Sequence, residues 1–214
     1  MSEPGLSETG LDNVFSFIAQ DGSKRLATRN LVPGEEFRIW DPYHSKLAAL
    51  ILKGSPVPIK KDSLILYLGA ANGTTAGHVS DIASQGTVFA VEFSPRAMHD
   101  LIRVSVPRKN LVPILADARR PGSYKNMVPE VDLIYQDVAQ RDQAGIAVLN
   151  SNMFLKENGF LILMIKARSI DSARKINEIV NSEIKKLEDV FEIKEIINLE
   201  PYQSDHMAVV TQKK

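Results

Sequence analysis

Leu66-Tyr67-Leu68-Gly69-Ala70-Ala71-Asn72-Gly73-Thr74-Thr75 is the stretch that decides the fold of this 214-residue chain. An apolar run ends in a turn of small residues, and the turn opens a helical pattern over residues 76–83. That is the ligand-binding crossing of an open α/β sheet. Strand-length apolar runs at 64–68, 87–91, 111–115, 131–135 and 160–165 alternate with helical patterns at 95–106 and 143–155, which implies a parallel sheet covered on both faces. Asp171-Ser172 then opens an amphipathic helix carrying Ile176, Ile179, Val180, Ile184 and Leu187. The last two extended runs, 190–199 and 206–211, are joined through Glu200-Pro201-Tyr202 without a crossover helix, so they pair antiparallel or lie apart.

Upstream of the turn, Val14-Phe15-Ser16-Phe17-Ile18 and Lys24-Arg25-Leu26-Ala27-Thr28 flank Asp21-Gly22, a hairpin signal. Pro33-Gly34 leads into Phe37-Arg38-Ile39-Trp40, and from Ser45 a helical stripe of Leu47, Leu50 and Ile51 closes near Gly54. With a boundary at Ser55-Pro56-Val57-Pro58, the expected organisation is a small β module and linking helix at 1–54 and the α/β domain at 55–214. Residues 1–13, rich in Ser, Glu and Gly, are expected to be mobile.

Composition narrows the chemistry. With 44% hydrophobic and 24% charged residues, the chain suits one compact domain or a domain with a small appendage. Twenty-six basic residues balance 26 acidic ones, so no global positive field exists to hold a polyanion. The absence of cysteine excludes disulfides, cysteine-zinc sites, iron–sulfur clusters and thiol nucleophiles together. His44, His78, His99 and His206 lack the i,i+4 pairing of a zincin, and no metal is expected. The polar start MSEPGLSETG does not resemble a signal peptide, and the longest apolar runs are far short of a membrane span, so a cytoplasmic location with no membrane partner is expected.

The glycine turn separates three cofactor classes. A P-loop needs Lys after Gly73, where Thr74-Thr75 stand, and a dinucleotide fingerprint needs Gly where Ala71 and Thr74 stand. The remaining Gly-x-x-x-Gly suits a nucleoside with an amino-acid tail, such as S-adenosylmethionine. Glu92 ends the second strand 23 residues after Gly69, the distance at which an acid grips ribose hydroxyls. Phe93 beside it is placed to pack on adenine, and Asp117-Ala118 follow the third strand, where a carboxylate can accept from the adenine amino group. Any one of these elements alone also fits a bare tight turn with solvated acids. Three in register favour a cofactor, and a parallel sheet finished by a hairpin favours the same class. The expected fold is α/β: a Rossmann-like S-adenosylmethionine-dependent methyltransferase fold, a mostly parallel sheet with an antiparallel last strand, preceded by a small β-rich N-terminal module.

Further segments stand beside the glycine turn: Asp21-Gly22, Leu26-Ala27-Thr28-Arg29-Asn30-Leu31-Val32-Pro33-Gly34, Tyr43-His44-Ser45-Lys46-Leu47-Ala48-Ala49, Val91-Glu92-Phe93-Ser94-Pro95-Arg96, Ala116-Asp117-Ala118-Arg119, Tyr135-Gln136-Asp137-Val138-Ala139-Gln140, and Pro201-Tyr202 leading to Asp205-His206. Through them the chain resembles the fibrillarin-type RNA 2′-O-methyltransferases, specifically their archaeal members, and nearly its whole length is covered by the resemblance. It implies methylation of ribose 2′-hydroxyls in rRNA and tRNA, directed by a C/D-box guide RNA in a ribonucleoprotein. The partners it implies are a Nop-domain scaffold protein and a kink-turn-binding ribosomal-type protein. The family quartet falls by motif on Lys46, Asp137, Lys166 and His206, and the cofactor set on Tyr67, Gly69, Ala70, Ala71, Gly73, Thr74, Thr75, Glu92, Phe93, Asp117, Ala118, Asp137 and Gln140. A wider group of ribose methyltransferases carries Glu in the fourth place, so His206 sides with fibrillarins.

In such a reaction a ribose hydroxyl attacks the sulfonium methyl in line and a neutral thioether leaves, and the protein aligns two reactants and manages one proton. Lys166 ends an apolar strand, where burial and the nearby Lys46 are expected to favour its neutral amine as base. Asp137 would orient the lysines and balance charge, and His206 would bond the ribose or hold Lys166. Taken singly, each has an ordinary structural role too: a solvated strand end, a turn cap, or a structural histidine, the role expected of His44, His78 and His99. Residues 103–125 carry six basic residues against Asp117 alone, and 166–175 carry four against Asp171, so both segments are expected to flank the cleft and meet phosphates. Residues 183–200, with six acids and three lysines, are an expected protein-docking surface. Two other functions fit the same motifs: a stand-alone RNA or small-molecule methyltransferase, and a non-catalytic S-adenosylmethionine-binding assembly subunit.

Overall fold

The computed structural model describes residues 5–214. Four antiparallel strands, β1 (Ser7–Glu8), β2 (Val14–Ile18), β3 (Lys24–Arg29) and β4 (Phe37–Trp40), form a first sheet in chain order. The β2–β3 hairpin closes at Ile18 and Lys24 around Asp21, whose Oδ1 accepts from the Ser23 amide at 2.9 Å. The expectation of a mobile segment at 1–13 is corrected in part. Residues 1–4 lie outside the described residues, but Ser7 and Glu8 pair with Ser16 and Phe15, and Asn13 donates to the Asp81 carbonyl at 3.0 Å.

Helix α1 (Lys46–Leu52) starts where Ser45 Oγ accepts from the Ala48 amide at 3.4 Å. The chain then winds through β5 (Leu64–Leu68), α2 (Thr74–Ile82), β6 (Thr87–Glu92), α3 (Pro95–Ser105), β7 (Leu111–Leu115), β8 (Val131–Gln136), α4 (Gln143–Phe154) and β9 (Leu155–Lys166). It ends with α5 (Ala167–Ile170), α6 (Ile176–Leu187), β10 (Phe191–Asn198) and β11 (His206–Lys213). The seven-stranded sheet has the order β10-β11-β9-β8-β5-β6-β7, and β11 runs antiparallel to both neighbours while β7, β6, β5, β8 and β9 are parallel. The order in which successive strands are laid down reverses between the parallel neighbours β5 and β8, which opens a crevice at their carboxyl ends.

Alternation along the strands splits the core. Ile65, Tyr67, Leu133 and Tyr135 bury one face, Leu66, Leu68 and Ile134 the other. Val14, Leu26 and Trp40 of the first sheet join the former face together with Leu47 and Leu50 of α1. A buried ionic cluster fixes the same junction. Asp81 of α2 is fully buried and accepts from Arg38 at 2.7 Å, Thr28 Oγ1 at 2.9 Å, the Leu31 amide at 3.2 Å and Arg108 at 3.4 Å. Because Thr28 donates to Asp81, His78 Nδ1 donates to Thr28 Oγ1 at 2.8 Å. Burial, aided by Arg38 and Arg108, pulls the His78 pKa down to about 2, and the neutral ring stacks on Trp40 at 4.8 Å.

Two boundaries differ from the sequence expectation by about five residues, the others by one or two at most. β9 starts at Leu155, not 160, because Val131 pairs with Leu155 before an irregularity brings Leu133 opposite Phe160. The helix expected from Asp171 starts at Ile176; Asp171 Oδ1 instead accepts the Ala173 and Arg174 amides at 2.8 and 3.2 Å, closing a turn behind α5. Among the described residues, no helix is long and apolar enough to cross a membrane.

Candidate active site

The glycine turn is built by close backbone approach. Gly69 has φ +82°, and a Cβ there would strike the Asp137 carbonyl oxygen. Its amide and that of Ala70 donate to the Val91 carbonyl at 2.9 and 3.1 Å, which locks the turn to the end of β6. Gly73 caps α2 with φ +85°, where a Cβ would meet Leu101 Cδ1 at 2.8 Å. Glu92 is buried and already oriented: Oε2 accepts from the Ala71 amide at 2.8 Å and Oε1 from the Ser94 amide at 2.7 Å.

A cavity of about 310 Å³ opens at the carboxyl ends of β5 to β8. Of the cofactor set, Gly69, Ala71, Glu92, Phe93, Asp117, Ala118, Asp137 and Gln140 line it. Tyr67, Ala70, Gly73, Thr74 and Thr75 do not; they shape the turn behind it. The Tyr67 phenol is buried against Tyr135, with its pKa pushed far above the ordinary range, and Thr75 Oγ1 donates to Ser45 Oγ at 3.0 Å, tying the turn to the cap of α1. The cavity walls suit a nucleoside: Phe93 is 64% exposed at its edge, Ala97, Val138 and Ile146 are apolar, and two carboxylates, Glu92 and Asp117, can accept from hydroxyl or amino groups. Arg119 grips Asp117 through Nε and Nη2, the latter at 2.6 Å, and lowers its pKa.

Beside the cavity the quartet residues come from four elements. Lys46 Nζ donates to Asp137 Oδ2 at 2.8 Å, with the side chains 19% and 23% exposed. His206 opens β11 directly opposite Lys166, the last residue of β9. His206 Nδ1 lies 2.6 Å from the Ser204 carbonyl, an acceptor, so that nitrogen carries the proton and Nε2 presents a lone pair. Nε2 is buried and has no partner among the described residues. Burial lowers the His206 pKa, with Lys46 and Lys166 acting in the same direction against the Ser204 bond and Asp137. The burial expected of Lys166 is absent: the residue is exposed.

The fibrillarin family model matches residues 7–214. The chain belongs to the fibrillarin family. A fibrillarin-like rRNA/tRNA 2′-O-methyltransferase of Methanosarcina barkeri is 50% identical, covering 95% of this chain and 96% of that relative. Aeropyrum pernix fibrillarin, crystallised with natively bound S-adenosyl-L-methionine, superposes with a TM-score of 0.90 at 43% identity, covering 99% of this chain and 100% of that one. A fibrillarin in complex with Nop5p gives 0.86 at 38% identity, covering 93% and 97%.

Two surface expectations for this fibrillarin-family chain change. Arg108 is buried on Asp81 and cannot meet a phosphate from outside, whereas Arg119 lines the cavity. Glu183 is buried as well: it accepts from the Ala144 amide at 2.8 Å and from Lys186 at 2.7 Å, so it is withdrawn from any docking face. Sequence alone missed the roles of Ser204 and of the buried amides of Gln136 and Gln143. Gln136 had one visible signal, its place directly before Asp137 in a motif of the family.

Proposed function

We propose that this fibrillarin-family chain transfers a methyl group from S-adenosylmethionine to ribose 2′-hydroxyls of rRNA and tRNA, with Lys46, Asp137, Lys166 and His206 as its reactive groups. The observation that carries this is the Lys46–Asp137 ion pair at the cavity edge, with the unpartnered His206 Nε2 close enough to feel both charges. S-adenosylmethionine, when bound, supplies an electrophilic methyl on a sulfonium. Glu92 would hold the ribose hydroxyls, Phe93 and the apolar wall the adenine, and Asp137 the region of positive sulfur. Asp137 is itself balanced by Lys46, so the site stays near neutrality. His206 Nε2 accepts the proton that the attacking hydroxyl loses, while exposed Lys166 attracts the phosphate beside the target ribose.

The chain acts within a C/D-box guide ribonucleoprotein, docked on a Nop-domain scaffold protein together with a kink-turn-binding protein. What supports the partners is the Nop5p complex of a related fibrillarin and the zero net charge, which gives no global positive field to hold RNA without them.

Glu92→Ala removes the two charge-assisted bonds expected to the cofactor ribose and raises the Kd for S-adenosylmethionine by roughly 100-fold in a calorimetric titration. An unchanged Kd would remove Glu92 from the cofactor site.

The proton acceptor is read from pH. His206 accepts only when neutral, and its depressed pKa keeps it neutral above the ordinary histidine value of about 6.5. The single-turnover rate therefore falls only as pH drops below that value and is flat from about pH 7 to 8.5. A rate climbing tenfold per unit across that window would instead assign the proton to Lys166.

A further inference from the structure

We propose that Gln143 is a positioning residue for Lys166, holding the main chain of that lysine against the strand that delivers Asp137. The proposal rests on the role assigned to Lys166 in the methyl transfer. The pairing of β8 with β9 ends at Gln136 and Leu163, so on that side the last three residues of β9 have no strand neighbour. For Lys166 a single side chain supplies one. Gln143 Oε1 accepts from the Lys166 amide at 3.0 Å, and Gln143 Nε2 donates to the Lys166 carbonyl at 3.4 Å. The main-chain carbonyl of Gln143 accepts in turn from Gln136 Nε2 at 2.7 Å, and Gln136 directly precedes Asp137. Both amide side chains are fully buried.

Helix α4 does not need this side chain for its own start. Asp142 Oδ1 accepts from the Gly145 amide at 3.2 Å, Glu183 of α6 accepts from the Ala144 amide, and Lys186 bridges Asp142 and Glu183 at 2.8 and 2.7 Å. The first turn of α4 is thereby fixed from the far side, and the Gln143 amide is left to Lys166. The Lys166 side chain makes no hydrogen bond or ion pair with the described residues, so its placement is set through its main chain. A misplacement near 1 Å at a reacting group costs up to about 100-fold in rate.

Gln143→Met keeps the length and bulk of the side chain and deletes both bonds. Its single-turnover rate at saturating cofactor and RNA is expected to fall roughly 10- to 50-fold, while the Kd for S-adenosylmethionine stays within about twofold. Introduced into Lys166→Ala and followed over long incubations, the same substitution is expected to cost nothing further, because it acts only through Lys166. If Gln143→Met does not fold, Gln143→Leu, which likewise has neither donor nor acceptor, goes through the same cycle with the same expectation. A wild-type rate in the single variant, or a loss that multiplies with that of Lys166→Ala, would overturn the proposal. Should Lys166→Ala itself turn over at the wild-type rate, the role of Lys166 fails first and the positioning role falls with it.

Discussion

Asp137→Ala is expected to lower the single-turnover rate of methyl transfer by roughly a thousandfold, the scale of losing a charged group matched to a developing transition state. Three consequences of the deletion add up. The half-buried Lys46 loses its partner at 2.8 Å and becomes an uncompensated cation. That cation lies at the edge of the cavity proposed to receive a second positive centre, the sulfonium. The negative charge that opposes the lowering of the His206 pKa is removed, so the electrostatic setting of the proton acceptor changes too. The fold should survive, because the contact that shapes the turn is between Gly69 and the Asp137 main chain, not its carboxylate. Asp137→Asn keeps the shape and loses the charge, and an intermediate loss of roughly a hundredfold is expected. Rates of both variants within threefold of wild type, measured with a matched guide and saturating cofactor, would exclude an electrostatic role.

The largest expected effect on stability is far from the cavity. Asp81→Ala strands Arg38 and Arg108 around a vacated, fully buried position and leaves the Leu31 amide and Thr28 hydroxyl without their acceptor. Breaking a buried ion pair by removing one partner costs about 3–5 kcal/mol. For a chain of this length that corresponds to a drop in Tm of roughly 6–20 °C by calorimetry. Arg108→Met added to Asp81→Ala should recover part of the loss, since it removes one of the stranded charges. A fall of less than about 1 kcal/mol would mean that the cluster is not what fastens the first sheet to α2.

The parallel core was legible because its strands are short, apolar and punctuated by helical periods, and β5, β7 and the Asp21-Gly22 hairpin occupy the positions their residues predicted. Asp171 misled because a side chain that caps a helix also closes a turn, and only the path of the next residues tells the two apart: Ala173 and Arg174 bend the chain before the helical period begins. The Asp81 cluster was invisible for a different reason. Its members stand at 28, 38, 81 and 108, and Asp81 looks like any acid within α2 until the fold brings two arginines to it. In the site, glycine spacing and strand-end acids marked the cavity, since local backbone demands leave local traces. The His206 tautomer depends on a carbonyl two residues away, and the exposure of Lys166 on where β9 stops; neither has a trace in residue type.

Reconstitution with a C/D-box guide RNA, a Nop-domain protein, a kink-turn-binding protein and methyl-labelled S-adenosylmethionine tests the central claim most directly. One methyl is expected per matched target RNA, on the ribose 2′-oxygen of a single nucleotide, with none when that nucleotide is 2′-deoxy and none without the guide. Label on a base nitrogen, or equal labelling of the 2′-deoxy target, would contradict the account.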